Sequence, residues 1–335
     1  MATLSILNPT LADLAKATDP DGAIADVVEI LNETNEVLDD MSWVEGNLPT
    51  GHRTTIRAGI PAPTWRKLYG GVQPNKGETT QVTDDCGMLE AYAEIDKALA
   101  DLNGNSAQYR LIEDRAHIEG MNQQVVDTLF YGDNDANPER FMGLSPRFNS
   151  TSASNGENII TGGGSGSDNT SIWLVVWGPN TCHGIIPKAS KAGLSVTDKG
   201  QVTLEDASGG SNTGRMEAYR THYRWDVGLT VRDWRYIVRI CNIDKSNLTK
   251  DASSSSADIP DLMFQAMTQI PNLSLGRAAF YMSRNSMSFL RRQVSAAVSG
   301  STLTIEDVGG KMVTRFQGIP IRRVDALAAD EATIS

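Results

Sequence analysis

Apolar and polar positions alternate most cleanly from Tyr219 onward, where Tyr219, Thr221, Tyr223, Trp225, Val227, Leu229 and Val231 share one face. Arg220, His222, Arg224, Asp226, Thr230 and Arg232 share the other. A period of two is that of a strand with one buried face. The apolar phase then moves to Trp234, Tyr236, Val238 and Ile240, which demands a bulge or turn near Arg232 and Asp233. Ser171 to Trp177 is an apolar run short enough for a buried strand. Residues 106–131 follow the helical period instead, with Leu111, Ile118, Met121, Val125 and Leu129 along one face. Asn105 can cap this helix, Gln108 stands at the capping-box position and Gly132 is a natural terminator. At ~1.5 Å per residue the helix would be about 39 Å long. Gly120 in its middle costs ~1 kcal/mol relative to Ala. It reads as a tolerated glycine in a core helix, with close packing or bending there as the sharper alternative.

The C-terminal third mixes helix and strand: DLMFQAMTQI is helical and stopped by Pro271, AAFYMS is a strand, and RNSMSFLRRQV is a helix. LTIEDV, KMVTRF and IPIRRV are short strands. Residues 149–171 and 206–214 are loops by their Gly, Ser and Asn content. No repeated β-α-β rhythm appears, so the pattern predicts an α+β chain with two lobes. Between His52 and Asp85, Pro61, Pro63, Gly70, Gly71, Pro74 and Gly77 forbid a long helix, while Thr54–Ile60 and Thr79–Thr83 are strand-compatible. This reads as a long hairpin-like excursion, uncommon unless functional or disordered. Trp65, Leu68 and Tyr69 would be odd on a solvated tip, and contact with another chain explains them better. Near the N-terminus, helical patterns run from Leu11 to Ala17 and from Ile24 to Leu38.

Charge sharpens this division. Of 41 acidic residues ten precede His52, against one base, Lys16, so that segment carries −9 of the net −11. An acidic arm and a nearly neutral body follow. Clustered bases of the kind that neutralise phosphates are missing, which argues against sequence-specific nucleic-acid readout. The longest strongly apolar run, Ile172 to Trp177, is far below the ~20 residues of a membrane-spanning helix, so no membrane role is expected. The N-terminus lacks the features of a secretory signal. Three widely spaced cysteines, Cys86, Cys182 and Cys241, argue for a reducing compartment.

Catalytic and cofactor patterns do not emerge. His52, His117, His183 and His222 form no pair with metal-ligand spacing, and Cys182-His183 reads as a loop cysteine beside a solvated or packed histidine. GGGSGS at 162–167 lacks the Lys-Ser/Thr of a phosphate loop. Carboxylate pairs such as Asp84/Asp85 and Asp39/Asp40 sit in polar surroundings. No enzyme, cofactor or metal is predicted. Arg215, Arg220, Arg224, Arg232, Arg235 and Arg239 fall within 25 residues, either as a solvated sheet face or as an intersubunit surface. Arg220, Arg224 and Arg235 are the candidates for receiving the acidic arm.

Several stretches, in this order, resemble the tailed-bacteriophage major capsid protein family, whose fold is shared by herpesvirus capsid floors and encapsulins. The long helix followed by YGDNDANPERFMGLSPRFN resembles the family's spine helix and the Pro-x-x-Phe-x-Gly-Leu loop, here Pro138, Phe141, Gly143 and Leu144. DVGLTVRDWRYIVRICNID, AAFYMSRNSMSFLRRQV and GIPIRRVDAL resemble further family elements, together covering most of residues 50–327.

The resemblance implies an α+β tailed-phage major capsid fold: an acidic N-terminal arm (1–50), an E-loop (51–85), a P domain (86–170 and 276–335) with its spine helix at 106–131, and an axial A domain (171–275). It implies a structural subunit of the virion, assembling as pentamers and hexamers around double-stranded DNA, with Trp65, Leu68, Tyr69, Arg220, Arg224 and Arg235 as intersubunit contacts. The host cytoplasm would be the place of assembly. A scaffolding protein, a portal protein and an optional cement protein would be partners, and packaged DNA would be held without sequence-specific binding. With about 50 residues before the E-loop, a separate scaffolding protein is expected over a fused one. Crosslinking between subunits would need Lys67 or Lys76 plus a partner Asn and Glu, and no such trio is identified. An encapsulin-like cargo shell, or a β-rich enzyme or carbohydrate-binding domain, are the competing readings.

Overall fold

The sheet is built on the stretch of sequence that is most uniformly apolar. In the computed structural model, which describes residues 35–102, 106–205, 214–250, 256–296, 303–308 and 311–335, the elements in chain order begin with helix α1 (Val37–Asp40) and strands β1 (Trp43–Glu45), β2 (Gly51–Gly59) and β3 (Glu78–Asp96). Helices α2 (Lys97–Asp101) and α3 (Ser106–Tyr131) follow, then β4 (Ile159–Thr161), β5 (Asn169–Trp177), β6 (Cys182–Ile186), β7 (Ser195–Glu205), β8 (Arg215–Val231) and β9 (Ile237–Asp244). Helix α4 (Ile259–Gln269), β10 (Arg277–Met282), α5 (Arg284–Ala296), β11 (Leu303–Val308), β12 (Lys311–Phe316) and β13 (Ile319–Arg323) complete the series. The first helical pattern of the arm, nearly all of the second, Asn105 and most of the 206–214 loop lie outside the described residues.

Two compact units form, the larger from described parts of 34–87, 126–190 and 227–335, the smaller from 88–125 and 191–226. In the larger unit all nine residues of β5 are buried. Antiparallel β9 pairs along one edge of β5 and antiparallel β10 along the other, Arg277 opposite Trp177. Parallel β13 extends the sheet beyond β10, followed by antiparallel β12 and β11. One face carries Ile172, Leu174, Val176, Val238, Ile240 and Phe280, packed against Ile259, Met263 and Ala266 of α4 and Leu290 of α5. Side chains alternate across a strand, so Trp173, Trp177, Tyr281 and Arg239 point the opposite way. There Phe130 and Phe148 meet Trp173 with ring centres 6.1 Å apart. Coverage on both faces explains why β5 and β9 read as apolar runs rather than alternations.

Arg239 is the one charge in this second layer, 2% exposed beneath the face of Trp173 at 5.0 Å. It pairs with Glu331 at 2.8 Å and donates to the Phe148 carbonyl at 2.8 Å and to the Ser171 hydroxyl at 3.1 Å. Tyr131 also donates to Glu331 at 2.6 Å. The fifth arginine of the expected exposed face is therefore a core residue.

The Pro138-x-x-Phe-x-Gly-Leu segment has a clear physical task. The last four carbonyls of a helix lack intrahelical partners. Leu144 N–H donates to Leu129 O at 2.9 Å and Ser145 N–H to Phe130 O at 2.7 Å, while Phe141 and Leu144 fill the core. Gly143 lies against this last turn so closely that a Cβ would stand 2.6 Å from Thr128 O, so only glycine fits. Residues 149–171 are not all loop: Ile159–Thr161 forms β4, parallel to β9, because two isoleucines supply a short apolar edge within the polar stretch.

In the smaller unit β7 and β8 form an antiparallel ribbon from Ser195 opposite Arg224 to Glu205 opposite Arg215. A register shift falls between Asp198 and Gly200, and the φ of +67° at Gly200 suits glycine there. The expected phase change after β8 appears as a 3-10 turn, Trp234–Tyr236, whose start Asp233 caps by accepting from Arg235 N–H at 3.1 Å. Helix α3 has the expected limits, but its apolar stripe is covered only toward its C-terminal end. Met121, Val125, Leu129 and Phe130 are buried, whereas Leu111 and Ile118 are substantially exposed. Nothing lies within 4 Å of a Cβ built at Gly120, which removes close packing as its reason.

Gly120→Ala is thus expected to raise stability by ~1 kcal/mol in urea unfolding, and a loss would mean that glycine is needed there. Arg239→Ala leaves Glu331 buried without its partner. It is expected to cost ~3–5 kcal/mol, and an effect under about 1 kcal/mol in the same measurement would contradict the buried pairing.

Candidate assembly surfaces

The hairpin of β2 and β3 is in register from Gly51 opposite Asp85 to Arg57 opposite Thr79, with a shift before Gly59 meets Glu78. At its base the buried Asp84 carboxylate pairs with Arg147 at 2.9 Å. Residues 60–77 between the strands form no regular structure. The turn Lys67 to Gly70 closes with a 3.0 Å backbone bond, and Tyr69 takes a φ of +63°. Trp65 is 102% and Tyr69 101% exposed, and Ile60 and Leu68 are nearly as bare. Large aromatic side chains bury ~150–250 Å² when covered, equivalent to ~4–6 kcal/mol each at ~25 cal/mol/Å². The loop offers that surface to no residue of its own chain.

The arginine cluster is arranged otherwise than as a free basic face. Arg220 donates to Glu94 at 2.7 Å with its guanidinium 5.4 Å from the Tyr92 ring centre, and Arg224 reaches Asp226 at 3.0 Å and Glu90 at 3.6 Å. Arg235 pairs with Asp233 at 2.7 Å. Arg232 donates to the Pro179 carbonyl at 2.9 Å. Each arginine named as a receptor for the arm therefore already has a carboxylate of its own chain.

The described end of the arm uses a cation that sequence reasoning passed over. Arg322 on β13 grips Asp40 through two bonds of 2.9 Å and reaches Glu36 at 3.4 Å. Tyr281 donates to the same Asp40 at 3.2 Å and accepts from the Trp177 indole at 2.7 Å, linking the arm to the aromatic layer. Asn35 bridges to Val324. The clue in the sequence was the Arg322-Arg323 pair beside an apolar strand, which nothing local could neutralise.

Cys182 and His183 lie in β6 rather than in a loop, both buried, because the strand pairs with β1 and with the end of β8. The His183 ring stands edge-on to His52 with centres 5.9 Å apart. Among the described residues no group of three or more His, Cys, Asp or Glu could hold a metal, and no helix is long and apolar enough to cross a membrane.

Comparison with known proteins places this geometry. The family model of major capsid protein GP7 matches residues 19–335. A chain of the cryo-EM structure of bacteriophage Epsilon15 is 41% identical, with 100% of this chain and 99% of that chain covered and a TM-score of 0.78. The bacteriophage JBD30 capsid is similar at 9% identity, covering 96% of this chain and 99% of its own, with a TM-score of 0.47. The holo-SrpI encapsulin complex of Synechococcus elongatus PCC 7942 is similar at 10% identity over 71% and 96%, with a TM-score of 0.41. These two add nothing to the assignment. No curated protein sequence matches. Sheet, long helix and projecting hairpin together are those of a phage capsid subunit, and the α+β reading holds. The chain belongs to the major capsid protein GP7 family, a structural component of the virion.

Burial, with the His52 and Arg232 charges nearby, lowers the His183 pKa from 6.5 to about 4. The folded chain keeps His183 neutral where the unfolded chain protonates it. Stability is therefore fully present above pH 6.5 and falls as pH drops toward 4, by on the order of 3 kcal/mol from this residue. His183→Phe is expected to flatten that part of the pH–stability curve, and an unchanged slope would remove His183 as its source.

Proposed function

We propose that this capsid protein assembles as pentamers and hexamers into an icosahedral shell enclosing double-stranded DNA, without catalytic activity of its own. Residues 51–85 act in it as an E-loop lying across a neighbouring subunit. The arm is 1–50, the P domain 86–170 and 276–335, and the A domain 171–275. The observation that supports this reading is the bare tip at Trp65, Leu68 and Tyr69: a projecting hairpin with large apolar groups is costly for a monomer and useful when every copy covers its neighbour's. Assembly in the host cytoplasm would need a scaffolding protein and a portal protein, and a cement protein would add to the finished shell. DNA would be held through its volume and charge. Arg220, Arg224 and Arg235 enter intersubunit contacts together with their own carboxylates, as neutral pairs. Phage kinship at 41% identity favours a genome over an encapsulin-type protein cargo.

Trp65→Ala is expected to leave the unfolding midpoint of the unassembled subunit unchanged while strongly reducing the yield of shells in sedimentation and negative-stain microscopy with scaffold present. Equal loss of folding and assembly would make Trp65 an ordinary core residue. Shells that contain protein cargo and exclude DNA would favour the encapsulin-type function.

A further inference from the structure

Helix α5 contains no acidic residue, and its exposed positions are Arg284, Ser288, Arg291, Arg292 and Ser295. With Arg323 of β13 and Glu36, its arginines line a cleft of about 520 Å³. Arg284 and Arg323 share Asp325 at 2.9 and 3.0 Å. Arg291 donates only to the Thr314 hydroxyl at 2.7 Å, and Arg292 lies 4.9 Å from the Phe289 ring centre. Neither has a carboxylate among the described residues. Two exposed guanidiniums beside a shared one leave the cleft strongly positive.

The chain enters the described structure at this place. Asn35 bridges to Val324, and Glu36 N–H donates to the Arg323 carbonyl at 3.4 Å while its side chain forms part of the rim. The 34 residues before Asn35 carry six acids, Asp13, Asp19, Asp21, Asp26, Glu29 and Glu33, against Lys16 alone. At ~3.3–3.6 Å per extended residue, Glu33 and Glu29 remain within about 20 Å of Asn35. The adjoining pairs from Arg322 to Glu36 and Asp40 already show this chemistry one strand position away.

We infer that the cleft between α5 and β13 is the docking surface of the acidic segment preceding Asn35 in the same chain, with Glu29 and Glu33 paired to Arg291 and Arg292. Exposed ion pairs contribute only ~0–1 kcal/mol each, but a short tether makes them intramolecular at an effective concentration near millimolar, so several act together. The inference does not rest on the shell reading.

Carbodiimide treatment of the full-length Arg291→Lys protein tests it, because this variant keeps the charge and supplies an amine. The activated Glu carboxyl would form an amide with the lysine, with net loss of water. Mass spectrometry is expected to find residue 291 joined to Glu29 or Glu33, several-fold less at about 0.5 M salt, where the screening length falls toward 3–5 Å. In a mixture of isotopically distinct copies the crosslink stays within one copy; crosslinks only between copies would place the segment on a neighbour and overturn the inference. R291E/R292E is expected to speed proteinase K removal of the arm several-fold, and adding E29K/E33K to restore protection. Failure of that rescue would also overturn it. So would loss of retention on double-stranded DNA in R291E/R292E with arm cleavage unchanged, which would make the cleft a phosphate-binding surface.

Discussion

The larger unit depends on a strand that can touch no water. All nine residues of β5 are buried, so each of its backbone groups must be paired and both of its faces covered. Antiparallel neighbours on both sides meet the first demand. Helices α4 and α5 on one face and the Phe130–Phe148–Trp173 layer on the other meet the second. Placing Arg239 inside that aromatic layer is tolerable only because Glu331, some 90 residues later, comes back to it, and the chain terminus is thereby drawn into the core.

Element types were mostly legible in the sequence because the physics that sets them is local. The period of two before Val231, its phase change near Asp233 and the 26-residue helix all correspond to observed structure. Pairing across long distances was not legible. Glu94 lies 126 residues from Arg220 and Asp40 lies 282 from Arg322, so no spacing rule connects them. The arginines of β8 looked like an open basic face for that reason alone. Arg235 is the exception, since Asp233 stands two residues away and could have been read as its partner. Leu111 and Ile118 show the converse limit: their phase on the helix was right, but periodicity cannot say whether a neighbour covers them.

The larger unit thus separates cohesion from recognition. Its inner layers are apolar and closely packed, with charges admitted in neutralised pairs. Recognition is left to two surfaces of unlike chemistry, the bare aromatic tip of the hairpin and the arginine cleft beside α5. An apolar tip binds without much dependence on salt, whereas a cationic cleft weakens as ions screen it. A shell drawing on both would therefore respond to ionic strength at one contact and not at the other.

The placement of the thiols turns the fold into its own timekeeper. All three cysteines are free, with Cys182 and Cys241 buried in β6 and β9 and only Cys86 partly open. Burial pushes both inner thiols up in pKa, Cys241 to about 11, so an alkylating reagent meets little thiolate there until the strands part. Slow modification of the inner pair, against rapid modification of Cys86, would record how often the sheet breathes in a free subunit. The same record taken from a finished particle would read the damping that lattice neighbours impose on that breathing.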